Sequence, residues 1–271
     1  MKRLIIALVF LESIQFSIAQ NDKQLKISKT APIIDGNISE WEFAWQEEEK
    51  LAYTICEHED VFFIRLKPLD ETTERKIIMF GLTLMLDGRG KKEGEFGITF
   101  PTSNQERMRG LRQGRQRNNQ GSGRSSSPPS DEERTKQQLE TKKKLVETSK
   151  EFIISGLTEN PIKGNIDNEN SGIELALGLD EDNMVVYEAK IPRGVIKINE
   201  KKKGAELAIG FETGFLDVEA MRGQRGGGQG NNPEGGGGTR KRGQQGGGGR
   251  NGMNMEELSV PTIVWEVIKL D

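Results

Sequence analysis

Val185-Val186-Tyr187-Glu188-Ala189-Lys190-Ile191-Pro192 decides the fold. Val185, Tyr187, Ala189 and Ile191 fall on one face of an extended chain, because successive side chains of a strand point to opposite sides. Pro192 ends the run, having no N–H to give to a ladder. Just upstream, Asp180-Glu181-Asp182-Asn183 has the composition of a turn. The alternation recurs in both directions along the chain. Phe62, Ile64 and Leu66 share a face, as do Leu82, Leu84 and Leu86, then Leu207, Ile209 and Phe211, and last Ile263, Trp265 and Val267. Glu57-His58-Glu59-Asp60 is a second turn-like link. Runs at 25–30, 94–100 and 152–157 bring the strands to about ten. Only 131–150 reads as a convincing helix. Ser130 can cap it, and Asp131, Glu132 and Glu133 complement its N-terminus. Leu139, Leu145 and Val146 give it a weak apolar face, so it is expected at the periphery. This element pattern does not fit a parallel α/β sheet. The fold class expected is mainly β, an antiparallel two-sheet β-sandwich.

Composition sets the size of that sandwich. Of 271 residues, 33% are hydrophobic, 30% are charged and 33 are glycine, 15 of them between Glu219 and Met255. Two stretches hold too few apolar side chains to offset the entropy of ordering their backbone. The first, 102–130, sets six arginines against Glu106, a net +5; the second, 219–255, carries a net +4. With the whole chain at −3, the remainder carries −12. An acidic body with two basic, flexible arms is expected. Met108-Arg109-Gly110 and Met221-Arg222-Gly223 open the arms alike, but no hydrophobic period accompanies them, so they read as low-complexity insertions rather than repeats. Outside these stretches and the N-terminal leader roughly 185 residues remain for a core, the size of one domain. That domain is expected over 20–271, with disordered insertions at 102–130 and 219–255.

Residues 1–19 have the build of a signal peptide. Lys2 and Arg3 supply the positive start, Leu4 to Leu11 the apolar core, and Ser17-Ile18-Ala19 the small residues for cleavage between Ala19 and Gln20. Glu12 and Gln15 interrupt the apolar run, so no transmembrane span is expected. The protein is expected to be exported, periplasmic or secreted. Single Cys56 and His58 exclude an intrachain disulfide framework and a zinc site of several thiolates or imidazoles. A Ser–His–Asp hydrolase would have to run through His58 alone. Cys56 reads as a small buried hydrophobe within a strand.

Several short motifs then fall in a familiar order. Ile34-Asp35-Gly36-Asn37-Ile38-Ser39-Glu40-Trp41 resembles the opening motif of family 9 carbohydrate-binding modules and their DOMON-like relatives. Val61 to Leu66, Leu86-Asp87-Gly88, Tyr187-Glu188-Ala189-Lys190-Ile191-Pro192 and the closing Trp265-Glu266-Val267 resemble later strands of that group. The Arg/Gly/Met-rich insertions also resemble those of exported Bacteroidetes proteins. The resemblance implies an exported β-sandwich with a non-catalytic binding role. Read from the residues alone, Asp35-Gly36 is a tight turn, and Trp41 after it is expected to plug one end of the sandwich.

Saccharide modules stack the apolar face of a pyranose on an aromatic ring and catch its hydroxyls with polar groups. Trp41 and Trp265 fall in patterned segments and are expected in the core, and Tyr53 and Tyr187 are expected to be packed. Trp45, beside Glu47-Glu48-Glu49, is the candidate ligand-binding residue. Asp35 with Glu40, and the group Asp180, Glu181 and Asp182, offer carboxylate oxygens to calcium, the one candidate ion. No other cofactor is expected, and no pair of carboxylates is set in an apolar context that would split their pKa values for catalysis. The arms lack aromatics, so no nucleic acid is expected. Their charge suits anionic envelope surfaces. The leading expectation is an exported non-enzymatic protein that binds carbohydrate or envelope components. The alternative is a structural accessory whose sandwich displays the two basic arms.

Overall fold

The computed structural model describes residues 24–103, 130–168, 172–198, 204–218 and 255–270. The leader with its Ala19/Gln20 cleavage pair, and nearly all of both insertions, lie outside the described residues.

In chain order the strands are β1 (Lys26–Ile27), β2 (Gln46–Glu48), β3 (Leu51–His58), β4 (Val61–Pro68), β5 (Leu82–Asp87) and β6 (Phe96–Thr99), then β7 (Glu151–Ser155), β8 (Ile162–Asn165), β9 (Glu174–Leu179), β10 (Val185–Pro192), β11 (Glu206–Thr213) and β12 (Ile263–Lys269). They form two six-stranded sheets. Sheet one has the order β1-β3-β4-β10-β9, with β2 alongside β3; sheet two has the order β12-β11-β5-β6-β7-β8. The expected sandwich is therefore present, with twelve strands rather than about ten. Every pairing is antiparallel except that of β1, which runs parallel to β3. Just before β1, Gln24 bridges Lys269 of β12, so this short segment ties the two sheets together along one edge.

The interior follows from the alternation. Phe62, Ile64 and Leu66 of β4, Tyr187 and Ile191 of β10, Leu84 of β5 and Phe211 of β11 are fully buried in one cluster. Tyr53 and Phe211 bring ring centroids to 5.2 Å across it. β12 departs from the expectation. Val264 and Ile268 enter the core, whereas Ile263, Trp265 and Val267 face outward. Both faces of β12 are apolar, so period alone cannot orient it. The inward side is marked instead by Glu266, whose carboxylate accepts the Tyr53 hydroxyl at 2.5 Å and is thereby satisfied within the core.

The turns are tighter than composition suggests. Glu57 and His58 still belong to β3, and the β3–β4 link is Glu59-Asp60 alone, at φ 49° and 60°. Two left-handed residues make the turn whose twist matches a hairpin. Buried Glu57 is free to pair with Arg193 at 2.8 Å.

Two helices close the remaining gaps. α1 (Glu71–Phe80) crosses from β4 to β5 and is absent from the sequence expectation. Its polar first half resembles a loop, and Ile77-Ile78-Met79-Phe80 resembles the start of the next strand. The signals that mark it are Asp70, which accepts from the Thr72 and Thr73 amides, and Gly81 at its end with φ 94°. α2 (Asp131–Glu147) is the expected peripheral helix, with Ser130 and Glu133 forming a reciprocal capping box. It lies along β9 and sends Leu145 into the core. A single turn, α3 (Met255–Leu258), precedes β12. Among the described residues no helix is long and apolar enough to cross a membrane.

Candidate functional site

The site is built on the outer face of sheet one. Thr54 of β3, Arg65 of β4 and Glu188 of β10 sit side by side in register, all pointing away from the sandwich interior. Two charges on a buried sheet face demand partners, and the irregular chain between β1 and β2 supplies them. Its Asp35-Gly36 turn donates both amides to Glu188, from Asp35 at 3.2 Å and Gly36 at 2.7 Å. Trp41 donates its indole N–H to the other carboxylate oxygen at 2.7 Å. Burial raises the Glu188 pKa. The Gly36, Trp41 and Asp35 N–H groups act against that rise without cancelling it.

Glycine is required where the turn lands. Gly36 has φ +84°, and a Cβ on Gly178 of β9 would lie 2.0 Å from the Gly36 carbonyl oxygen. Turn and strand therefore meet backbone to backbone. Trp41, Ile34, Ile38 and Phe43 pack over Cys56 and Phe63, giving sheet one a second, outer apolar layer. Cys56 is fully buried there, and burial pushes its thiol up to about 12. It is the small buried hydrophobe expected. Trp41 is buried as expected too, but against the sheet face rather than as an end plug.

Arg65 organises the approach to this layer. Its guanidinium donates to Thr54 Oγ1 and to the Ile38 carbonyl, each at 3.2 Å, and to the Phe43 carbonyl. It lies 5.2 Å from the Trp41 ring centroid and 4.0 Å from that of Trp45, a cation–π arrangement with both. Burial lowers its pKa, and the charge of Glu188 works against that shift.

Half-buried Trp45 and buried Arg65 form one wall of a cleft of about 400 Å³. Asn37 and Ser39 stand at its side, and the β9–β10 turn with Asp180, Glu181 and Asp182 closes the far wall. Asp180 Oδ1 accepts the Asp182 and Met184 amides at 3.0 and 2.8 Å, which fixes that turn. Lys67 stands between the walls, 3.8 Å from Asp180 Oδ2 and 5.2 Å from the Trp45 ring. Chemically the cleft offers an aromatic surface, two cations and several oxygen acceptors. Such a set can pack against a flat apolar face and hydrogen-bond polar groups around its edge.

The structure thus joins Trp45 to the Asp180–Asp182 group, two features that the sequence offered separately. Asp35 and Glu40 are placed otherwise. Asp35 Oδ1 accepts the Asn37 amide at 2.8 Å and Glu40 Oε1 the Ile33 amide at 3.0 Å, each within its own loop. Among the described residues no group of three His, Cys, Asp or Glu side chains is arranged to hold a metal. His58, at the end of β3, has Nδ1 3.0 Å from the Ser28 carbonyl and so pins the start of the covering segment. The roles of Arg65 and Glu188 are not legible as a period. The available signal is a charge in the middle of a strand whose other face is wholly apolar.

Trp265 provides a second aromatic surface, on the outer face of sheet two. A Cβ on Gly210, its partner in β11, would sit 2.8–2.9 Å from three atoms of the indole, so the ring lies flat on the β11 backbone.

No protein-family model matches the chain, and no curated protein does. Among solved structures the chain is similar to a family 9 carbohydrate-binding module from Caldicellulosiruptor kristjanssonii in complex with glucose. The identity is 10% over 73% of this chain and 81% of that one, with a TM-score of 0.31. The complex of such a module from that organism with cellotriose gives 11% identity over 73% and 80%, with a TM-score of 0.30. Similarity at this level says nothing of what this chain binds.

Proposed function

We propose that this is an exported, non-catalytic saccharide-binding β-sandwich whose ligand enters the Trp45 cleft. The observation that carries the reading is the pairing of a partly exposed indole, steadied by Arg65 at 4.0 Å, with an opposite wall of carboxylates. A pyranose placed there would stack one face on Trp45 and give its hydroxyls to the exposed carboxylates of Glu181 and Asp182. A glycan array probed with the full-length protein and with Trp45→Ala tests this, with glucose and cellotriose as the first soluble probes. Reproducible binding lost in the variant supports the proposal. Equal binding by the two proteins, or none by either, refutes it.

One observation favours the second reading, an envelope accessory displaying basic arms. β11 ends at Thr213 opposite Leu82, and Thr99 near the end of β6 pairs with Thr83. The described ends that lead into both Arg/Gly-rich insertions therefore lie at one end of sheet two, which suits a shared origin for two basic segments. Deleting both insertions is expected to abolish salt-sensitive retention on outer-membrane vesicles. Unchanged retention would remove this reading.

A further inference from the structure

The pole where α1 meets the start of β12 holds a buried lysine with too few partners. Lys76, on α1, is only 3% exposed. Its Nζ makes one hydrogen bond, to Thr262 Oγ1 at 3.3 Å, and among the described residues it has no ion pair. An ammonium carries three N–H donors, and a buried charge without a counter-ion is costly, so native proteins pair such groups. Burial lowers the Lys76 pKa, and the nearby charge of Lys50 lowers it further. Asp70 and Glu257 oppose the shift without cancelling it.

Lys76 forms part of the lining of a cleft of about 650 Å³, with Lys50 and Thr262 beside it. The Thr262 hydroxyl accepts from Lys76 and its hydrogen is left to donate. The inner part of this cleft therefore presents an ammonium and a hydroxyl, and exposed Lys50 adds a second ammonium to the lining, the donor set that receives a carboxylate. The mouth has a different chemistry. Exposed Glu49, Glu256 and Glu257 line it together with the partly apolar edge of Val260 and Ile263, which are 58% and 44% exposed. Carboxylates at the mouth repel a bare polyanion but accept hydroxyl hydrogens. The volume lies in the range of small-molecule sites and is far larger than one oxyanion needs.

We infer that this cleft binds a hydroxylated carboxylate of uronic-acid type, its carboxylate on Lys76, Lys50 and Thr262 and its hydroxyls on the glutamates. The ligand supplies Lys76 with a counter-ion that the described residues do not. The site is separate from the Trp45 cleft and does not depend on it.

The test is a thermal-shift and calorimetric titration of the full-length protein with sodium D-glucuronate, against sodium chloride of equal ionic strength. Wild type is expected to gain thermal stability with glucuronate and not with the control, and Trp45→Ala to respond like wild type. Lys76→Met, which keeps the stem and removes the charge, is expected to fold with a melting temperature at or above that of wild type and to bind glucuronate at least tenfold more weakly. Thr262→Val is expected to weaken binding several-fold. No response of wild type to glucuronate, or an equal response in Lys76→Met, overturns the inference. If Lys76→Met fails to fold, Lys50→Met is titrated in its place. A tenfold loss there supports the site and an unchanged affinity overturns it.

Discussion

The outer faces of the two sheets solve the same problem in different ways. On sheet one, residues between β1 and β2 form a second layer, held by three N–H donors on one carboxylate, and the candidate cleft lies at the border of that layer. On sheet two, Ile263, Trp265, Val267 and Met85 remain partly exposed, and Trp265 is seated on a glycine instead of beneath another layer. The first arrangement fixes a rigid loop over the sheet, which is what a preformed binding wall needs. The second leaves a flat aromatic surface whose removal disturbs little else.

Substitutions distinguish the two faces, and the largest effect is expected at Trp41. Trp41→Ala removes a buried indole and one partner of Glu188, and should cost about 3–5 kcal/mol in denaturant unfolding. Trp265→Ala should cost less, about 1–2 kcal/mol, because that ring is only partly buried and, among the described residues, holds no buried polar partner. Equal losses would mean that the outer layer of sheet one is no more than a surface loop. Next come the glycines. Gly178→Ala forces a Cβ against the Gly36 carbonyl at 2.0 Å, backbone against backbone, and should cost about 2–3 kcal/mol. Gly210→Ala meets only the movable Trp265 ring, and should cost about 1 kcal/mol while shifting tryptophan fluorescence.

The smallest and most diagnostic contrast is in pH dependence. Glu188 on sheet one is raised by burial, so the native state holds its proton longer than the unfolded chain does. Its contribution is complete below the unfolded value of about 4.3 and declines as pH rises through the folded value. Asp87 on sheet two behaves in the opposite sense. Burial alone would raise it, but the side chain and amide of Arg89 hold it below the ordinary range. Its contribution is complete above the unfolded value of about 3.9 and is lost as pH falls through the folded one. Urea unfolding from pH 3 to 7 should show that Glu188→Gln removes a downward slope with rising pH, and Asp87→Asn an upward one. Slopes of the same sign in the two variants would contradict the assignment.

What the sequence made legible depended on whether one face of a strand was polar. β4, β5, β10 and β11 announce their inner faces by alternation, and the core contains the residues expected. β12 does not, because Ile263, Trp265 and Val267 are as apolar as Val264 and Ile268, and only the tertiary partner of Glu266 chooses between them. α1 was hidden for a similar reason, since Ile77 to Phe80 suit a strand or a helix and only the Asp70 cap decides. The Asp35-Gly36 turn was legible in itself. Its partner was not, for Glu188 lies more than 150 residues away in sequence. Trp45 was legible as a candidate, but the cleft around it exists only because the β9–β10 turn is folded back beside it.

Trp45 is the residue on which the proposed binding turns. Intrinsic fluorescence of the full-length protein titrated with cellotriose, repeated with Trp45→Ala and Trp265→Ala, measures it. The expected result is a saturable change in wild type that persists in Trp265→Ala and vanishes in Trp45→Ala. Saturable binding that survives in Trp45→Ala, or that is lost only in Trp265→Ala, would place the ligand on the other face and contradict the proposed site.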